Sequence, residues 1–163
     1  MVRIRIPKRR RREQKTDYKL RLNLLKSGLP RIVVRKSNKY FVLQVVESVE
    51  GQDKVIKTLT SKDLLKEGLS EKRAGSLKSI PAGYLTGLLF AKHCNKDKYI
   101  LYLGMARTIH GNRLYAVVKG LIDGGAHITA DESIFPSEER LTGAHLKEDA
   151  QKEFAQLKTK IAK

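Results

Sequence analysis

The chain has 163 residues, 40% of them apolar, and a formal net charge of +17. That length suits one domain with extensions, and that apolar fraction supports a packed core, so a wholly disordered polyanion-binding tail is excluded. One cysteine, Cys94, excludes an internal disulfide framework and a thiolate zinc site, and no apolar run reaches the ~18 residues of a membrane span.

The charge is not spread evenly. The first forty residues hold 15 of the 34 Lys and Arg but only two of the 17 acids, Glu13 and Asp17. At the centre of this segment is Lys8-Arg9-Arg10-Arg11-Arg12, with Arg3 and Arg5 before it and Lys15 after it. Such a run repels itself, and a polyanion supplies the missing countercharge. Residues 1–15 therefore read as an extended basic arm. It lacks the apolar stretch of a secretory signal and the bulky apolar face of a membrane anchor.

A helix is predicted from Thr16 or Asp17 to Ser27, with Leu20, Leu24 and Leu25 at helical spacing; Gly28 and Pro30 end it. Three strands follow, Arg31–Arg35, Tyr40–Val49 and Lys54–Thr60, joined by turns at Lys36–Lys39 and Glu50–Asp53. Ser61 is placed to cap a short helix through Leu64 and Leu65. Residues 69–79 read as a loop. Pro81 opens a helix running to about Cys94, and its Ala82, Gly83 and Gly87 suit close packing on a sheet. The apolar run Tyr99–Leu103 reads as a strand buried on both faces. A loop, Gly104–Gly111, leads to Asn112 as cap of a helix from Arg113 to Asp123, stopped by Gly124-Gly125. A short extended piece at Ile128, a helical turn at 136–140 and an amphipathic helix at 147–161 complete the chain.

An antiparallel meander followed by helix, strand and helix implies an α/β fold: a three-layer sandwich with a mixed sheet and helices on both faces. The organisation reads as a basic arm (1–15), an α/β core (16–130) and a C-terminal extension with its own helix (131–163). The candidate contact residues for nucleic acid fall in three places. They are the arm, the hairpin tip Arg35-Lys36-Ser37-Asn38-Lys39-Tyr40, and the loop bearing Arg107, Thr108, His110, Gly111, Asn112 and Arg113. Arg engages phosphate as a planar fork, Tyr40 has a ring to stack on a base or ribose, and the helix start after Gly111 favours an anion. Ordinary alternatives are a solvated charge run, a polar turn with Tyr40 in cross-strand packing, and a capped helix. The acids Asp131, Glu132, Glu138 and Glu139 suit a protein neighbour or plain solvation. The four histidines show no zinc spacing, and neither a metal nor a cofactor is expected.

Four segments in order resemble the L-eighteen family of large-subunit ribosomal proteins, archaeal type, related to the eukaryotic L-five protein. They are Arg11-Arg12-Glu13 with Lys15–Tyr18, Gly28–Lys39, Leu103-Gly104 with His110–Gly120, and Glu132–His145. The resemblance implies a ribonuclease-H-like topology and a structural role: binding 5S rRNA and anchoring it in the central protuberance. It also implies 23S-type rRNA and neighbouring ribosomal proteins as partners and a cytoplasmic location in the large subunit, with no membrane and no homo-oligomer. Two other classes compete with this reading. A nuclease needs carboxylates clustered on central strands, and Ile32-Val33-Val34 and Tyr99–Leu103 have none. A nonspecific RNA chaperone would bind any RNA of similar length equally.

Overall fold

The computed structural model describes residues 6–94 and 98–162. Strands β1 (Arg31–Lys36), β2 (Phe41–Val49) and β3 (Gln52–Thr60) form the antiparallel meander. Strand β4 (Lys98–Tyr102) pairs parallel to β1, and β5 (His127–Ile128) parallel to β4. The sheet order is β3-β2-β1-β4-β5. Between the pairs Val45–Lys57 and Val46–Val55 the register shifts, leaving Ile56 as an extra residue on the edge strand β3. Among the described residues seven α-helices punctuate these strands: α1 (Arg9–Arg12), α2 (Tyr18–Lys26), α3 (Asp63–Glu67), α4 (Ile80–Ala91), α5 (Arg113–Asp123), α6 (Glu138–Thr142) and α7 (Glu148–Ala162).

Side chains alternate across a strand, so each strand has two faces to satisfy. On one face Ile32, Val34, Phe41, Leu43 and Val45 are buried in the core beneath α4 and α5. Helix α4 is buried at every position from Pro81 to Ala91, as an all-round apolar helix must be. Ser79 caps it by accepting the Ala82 N–H at 3.3 Å. Helix α7 lies outside α4 and buries Ala150, Phe154, Leu157 and Ile161.

Helices α4 and α5 run parallel and nearly touch. A Cβ on Gly87 would fall 2.1 Å from the Val117 carbonyl oxygen, and one on Gly120 would fall 2.1 Å from that of Tyr84. Gly83 meets the sheet at Phe41, but Gly87 serves the helix–helix contact and not, as expected, the sheet. The close approach of two backbones needs a glycine from each side, and only one of that pair belongs to α4.

The second face carries Arg31, Val33, Arg35, Gln44, Val46 and Tyr102, with Arg31, Val33 and Val46 buried; the short α1 and helix α2 border it through Arg10, Tyr18 and Arg21, but neither helix has a buried residue, so the layer on this face is thinner than the one on the core face. Leu20 and Leu22 of α2 remain exposed. The reason is compositional: a face alternating Arg, Val, Arg offers too little apolar area to bury a helix. For the same reason β4 is not buried on both faces; Tyr99 is buried, whereas Ile100, Leu101 and Tyr102 are half-buried. Ser61 does not cap α3. It prolongs the β2–β3 ladder, donating its N–H to Phe41 O and accepting the Phe41 N–H at its hydroxyl, both at 3.1 Å. Asp63 holds the start of α3 by accepting the Thr60 N–H at 2.9 Å. The expected loop after α3 contains a 3-10 turn, Glu71–Ser76, tied to α7 by the 2.7 Å Arg73–Glu153 ion pair.

Candidate nucleic-acid interface

The open face of the sheet is the floor of a cleft of about 780 Å³. Val33, Gln44, Val46 and Tyr102 line its bottom. The register explains the grouping, because Val33 stands opposite both Gln44 and Tyr102. Arg10, Lys15, Thr16, Tyr18 and Arg21 form one wall; Arg35 and Lys36 at the end of β1 and residues 103–106 after β4 form another. Six cations and one carboxylate, Asp53, border this space. A concave surface lined by one sign of charge focuses the field and concentrates counterions of the opposite sign.

Asp53 is consumed internally. It meets Arg31 at 2.6 Å and Arg21 at 3.0 Å, and Ser48 donates its hydroxyl to the same carboxylate. Burial raises the Asp53 pKa, but the hydrogen bonds from Ser48 and Arg31 and the charges of Arg31 and Arg21 outweigh it and hold the pKa below the usual carboxylate value. The Arg31 side chain, 5% exposed, is therefore part of the floor, and Arg21 pins α2 across the sheet. Arg35, Lys36 and Lys39 are exposed, and none has a carboxylate within 4 Å among the described residues.

The arm is not fully extended. Residues 9–12 make one helical turn, and Gln14 adopts a positive φ of 52° that folds the chain back. Glu13 sits between Arg9 (3.9 Å) and Lys15 (2.9 Å), Arg10 donates to the Thr16 hydroxyl at 2.9 Å, and the Lys8 ammonium lies 4.9 Å from the Tyr18 ring centre. A single local acid and two fold-back contacts thus give the run a shape. Arg11 and Arg12 stay exposed. Arg3 and Arg5 lie outside the described residues.

At the hairpin tip Ser37 is committed to the turn. Its hydroxyl donates to Tyr40 O at 2.7 Å and accepts the N–H groups of Tyr40 and Lys39 at 2.9 and 3.2 Å. Asn38 and Lys39 are exposed, and the Tyr40 ring is half-buried with the Lys62 ammonium 4.8 Å from its centre. Because β1 and β4 are parallel, this tip and the loop before α5 share one end of the sheet. Met105 and Ala106 join that loop to the cleft, and Arg107, Thr108 and Arg113 are exposed.

His110 and Gly111 point elsewhere. The Gly111 N–H donates to Ile134 O at 2.9 Å, and His110 Nδ1 lies 3.3 Å from Ser133 O. These two residues meet the acidic segment 131–134, so the Gly111 amide is not free for an anion. Asn112 occupies the position just before α5, but its side chain donates to Arg107 O at 3.1 Å and does not cap the helix. Asp131 lies below the usual carboxylate value because Ser133 hydrogen-bonds to it, with a smaller contribution from the charge of His110.

Reading the sequence alone missed Tyr18, Arg21, Gln44 and Tyr102 as cleft residues. The signal available was the alternation Arg31, Val33, Arg35, which marks a polar sheet face. Cys94 is half-buried just past α4, and burial raises its thiol pKa to about 11, far from nucleophilic use. Among the described residues no three His, Cys, Asp or Glu side chains are grouped to hold a metal ion, and no helix is long and apolar enough to cross a membrane.

Residues 2–98 match the family described as "Ribosomal large subunit proteins 60S L5, and 50S L18". The chain is 44% identical over 160 residues to "Large ribosomal subunit protein uL18" of Methanoculleus marisnigri, covering 96% of this chain and 89% of the relative. It is 43% identical to the protein of the same description from Methanoregula boonei over 85% of this chain and 79% of that one. For the Korarchaeum cryptofilum protein the identity is 42%, over 88% and 73%.

Proposed function

Since the chain belongs to the uL18 family of large ribosomal subunit proteins, structural components of the ribosome in the cytoplasm, we propose that its open sheet face grips 5S rRNA and anchors it in the central protuberance. The observation that carries this reading is the cleft, where arm, hairpin and post-β4 loop converge on one cationic concavity whose single acid is internally paired. Arg10, Arg11, Arg12, Lys15, Arg35 and Lys36 neutralise phosphates there, and Asn38 and Lys39 extend the contact at the hairpin tip. Arg107 and Arg113 meet backbone at the same end of the sheet, with Thr108 beside them. Each neutralised phosphate releases counterions, which gives affinity. Selectivity comes from shape, since a fixed concave face admits one RNA surface and the half-buried Tyr102 ring offers a stacking plane to an unpaired base.

The arm, with Arg3, Arg5, Lys8 and Arg9, reaches beyond the cleft to 23S-type rRNA, residues 16–130 form the 5S-binding core, and residues 131–163 face protein neighbours. The strand order β3-β2-β1-β4-β5, with β2 alone running antiparallel to the rest, supports the ribonuclease-H-like reading. The role is structural and needs no catalysis, because positioning an RNA requires only complementary charge and shape.

The test is competition binding at physiological salt. 5S rRNA outcompetes a tRNA of similar length on this reading; equal affinities would convert the protein into a nonspecific RNA binder. Arg35→Glu with Lys39→Glu lowers the 5S-over-tRNA preference more than Lys147→Glu with Lys152→Glu on the helical side. Equal losses would leave only bulk charge.

A further inference from the structure

A cleft that receives an RNA backbone has no electrostatic use for a carboxylate, yet Asp53 stands among the six cations that border this one. Placed near phosphate, a charge of the same sign weakens binding. The two oxygens of Asp53 are used differently. Oδ1 meets the buried Arg31 at 2.6 Å and accepts the Ser48 hydroxyl, which neutralises the floor. Oδ2 lies 3.0 Å from Arg21 Nη1 on α2. Neutralising Arg31 requires only the first oxygen, so the second has a different task.

That task follows from how α2 is held. No residue of α2 is buried, so apolar packing fixes its position weakly. Arg21 reaches the sheet twice, at Asp53 and, through Nη2, at the Gly51 carbonyl 3.5 Å away. One turn before Arg21, the Tyr18 ring has the Lys8 ammonium 4.9 Å from its centre, and Thr16 accepts a hydrogen bond from Arg10 Nε at 2.9 Å. Between them Asp17 caps α2 by accepting the N–H groups of Lys19 and Leu20 at 2.9 and 3.1 Å. A hydrogen-bonded helical turn is stiff, so a displacement of Arg21 is carried to Tyr18 and Thr16. Sheet, Asp53, Arg21, α2 and the arm's Lys8 and Arg10 thus form one continuous linkage. A partly exposed ion pair adds little to global stability, and breaking it frees α2 and the arm locally.

We propose that Asp53, acting through Arg21, is a positioning residue for RNA selectivity: it sets α2 and the arm wall of the cleft at the spacing that 5S rRNA matches. The inference rests on the RNA reading above and deepens it. It reverses the sign expected from charge alone, because removing an acid from a cationic cleft would otherwise tighten the binding of every RNA. A wall ordered in advance avoids the ordering of its side chains on binding, and only an RNA of matching shape benefits.

The experiment measures 5S rRNA and a tRNA of similar length against the full chain and four variants. Asp53→Asn makes the chain more positive and Arg21→Gln makes it less so. Both are expected to lower the 5S-over-tRNA preference by about tenfold, equivalent to ordering one or two side chains on binding instead of beforehand. The variant carrying both changes loses no more than either alone, since both break one contact. Arg21→Lys, which keeps a cation opposite Asp53, retains the larger part of the preference. In the free protein, hydrogen exchange of amides 22–26 is several-fold faster in Arg21→Gln than in the parent chain, with α4 unchanged. Arg21→Gln leaves the Arg31–Asp53 pair in place, so it decides the matter even where Asp53→Asn disturbs the sheet. Effects of opposite sign in the two single variants, additive losses in the combined one, or unchanged α2 exchange in Arg21→Gln overturns the proposal and leaves the RNA reading standing. A parent chain without preference for 5S rRNA overturns both.

Discussion

The two faces of the sheet use the same strands for opposite ends. Toward α4 and α5, β2 presents Phe41, Leu43 and Val45, all buried; toward the cleft it presents Val42, Gln44 and Val46, of which Gln44 donates to the Thr58 hydroxyl at 3.2 Å. One face obtains its free energy from apolar area removed from water, the other from a few paired charges that leave the remaining cations unsatisfied. A period of two separates stability from binding on one ribbon. Changes on the helical face should therefore alter folding, and changes on the open face should alter RNA affinity.

The largest effect is expected where the helical face is tightest. Gly120→Ala drives a Cβ against the Tyr84 carbonyl, and overpacking of this severity costs about 3 kcal/mol or more. Urea unfolding measures it, and a cost below about 1 kcal/mol would mean that α4 and α5 can separate freely. Next comes removal of residues 1–12. If four phosphates are lost, the slope of log affinity on log salt lessens by roughly three and affinity falls on the order of a hundredfold at physiological salt. Stability should stay within about 0.5 kcal/mol, the range of changes remote from a core. An unchanged salt slope would take the arm out of the interface.

Asp53→Ala blurs the division between the faces, because it strands the buried Arg31 charge. Full burial of such a pair would cost ~3–5 kcal/mol; with Asp53 about a third exposed, about 2 kcal/mol is expected in the same unfolding assay. Arg31→Met should cost less, since Asp53 keeps Arg21 and water.

The smallest effect is acid sensitivity. Glu153 has a lowered pKa; burial opposes the shift, but hydrogen bonds from Ser70 and Arg73 and the Arg73 charge prevail. A depressed folded pKa stabilises above the unfolded value near 4.5 and loses that contribution as pH falls through the folded value. Stability measured from pH 6 down to 3 should fall less steeply for Glu153→Gln than for the parent chain. Parallel curves for the two proteins would remove this pair from the account.

Local chemistry made much of the fold legible. Leu114, Val117, Val118 and Leu121 read as one helical face and are buried in α5; Phe154, Leu157 and Ile161 do the same in α7. The meander was announced by β-branched runs and turn residues, but the turns are shifted: Lys36 belongs to β1, and β3 starts at Gln52, two residues before the expected Lys54, leaving only Glu50-Gly51 as the second turn. For the candidate site, the arm and the hairpin were legible as charge, but Tyr18, Arg21 and Tyr102 were not. Their membership depends on how α2 and β4 lie over β1, and no short-range pattern encodes that.

By itself the sequence determined where the main strands and helices form, which side of α5 and α7 is apolar, and that the cations gather near the start of the chain. These follow from periods of two and 3.6 residues and from composition. Only the tertiary structure decided that one sheet face lines an open cleft, that Arg31 is neutralised by a residue 22 positions away, and that Gly87 finds Gly120 across a helix pair. Those outcomes depend on which distant surfaces meet, and burial and charge pairing act through space whatever the separation along the chain.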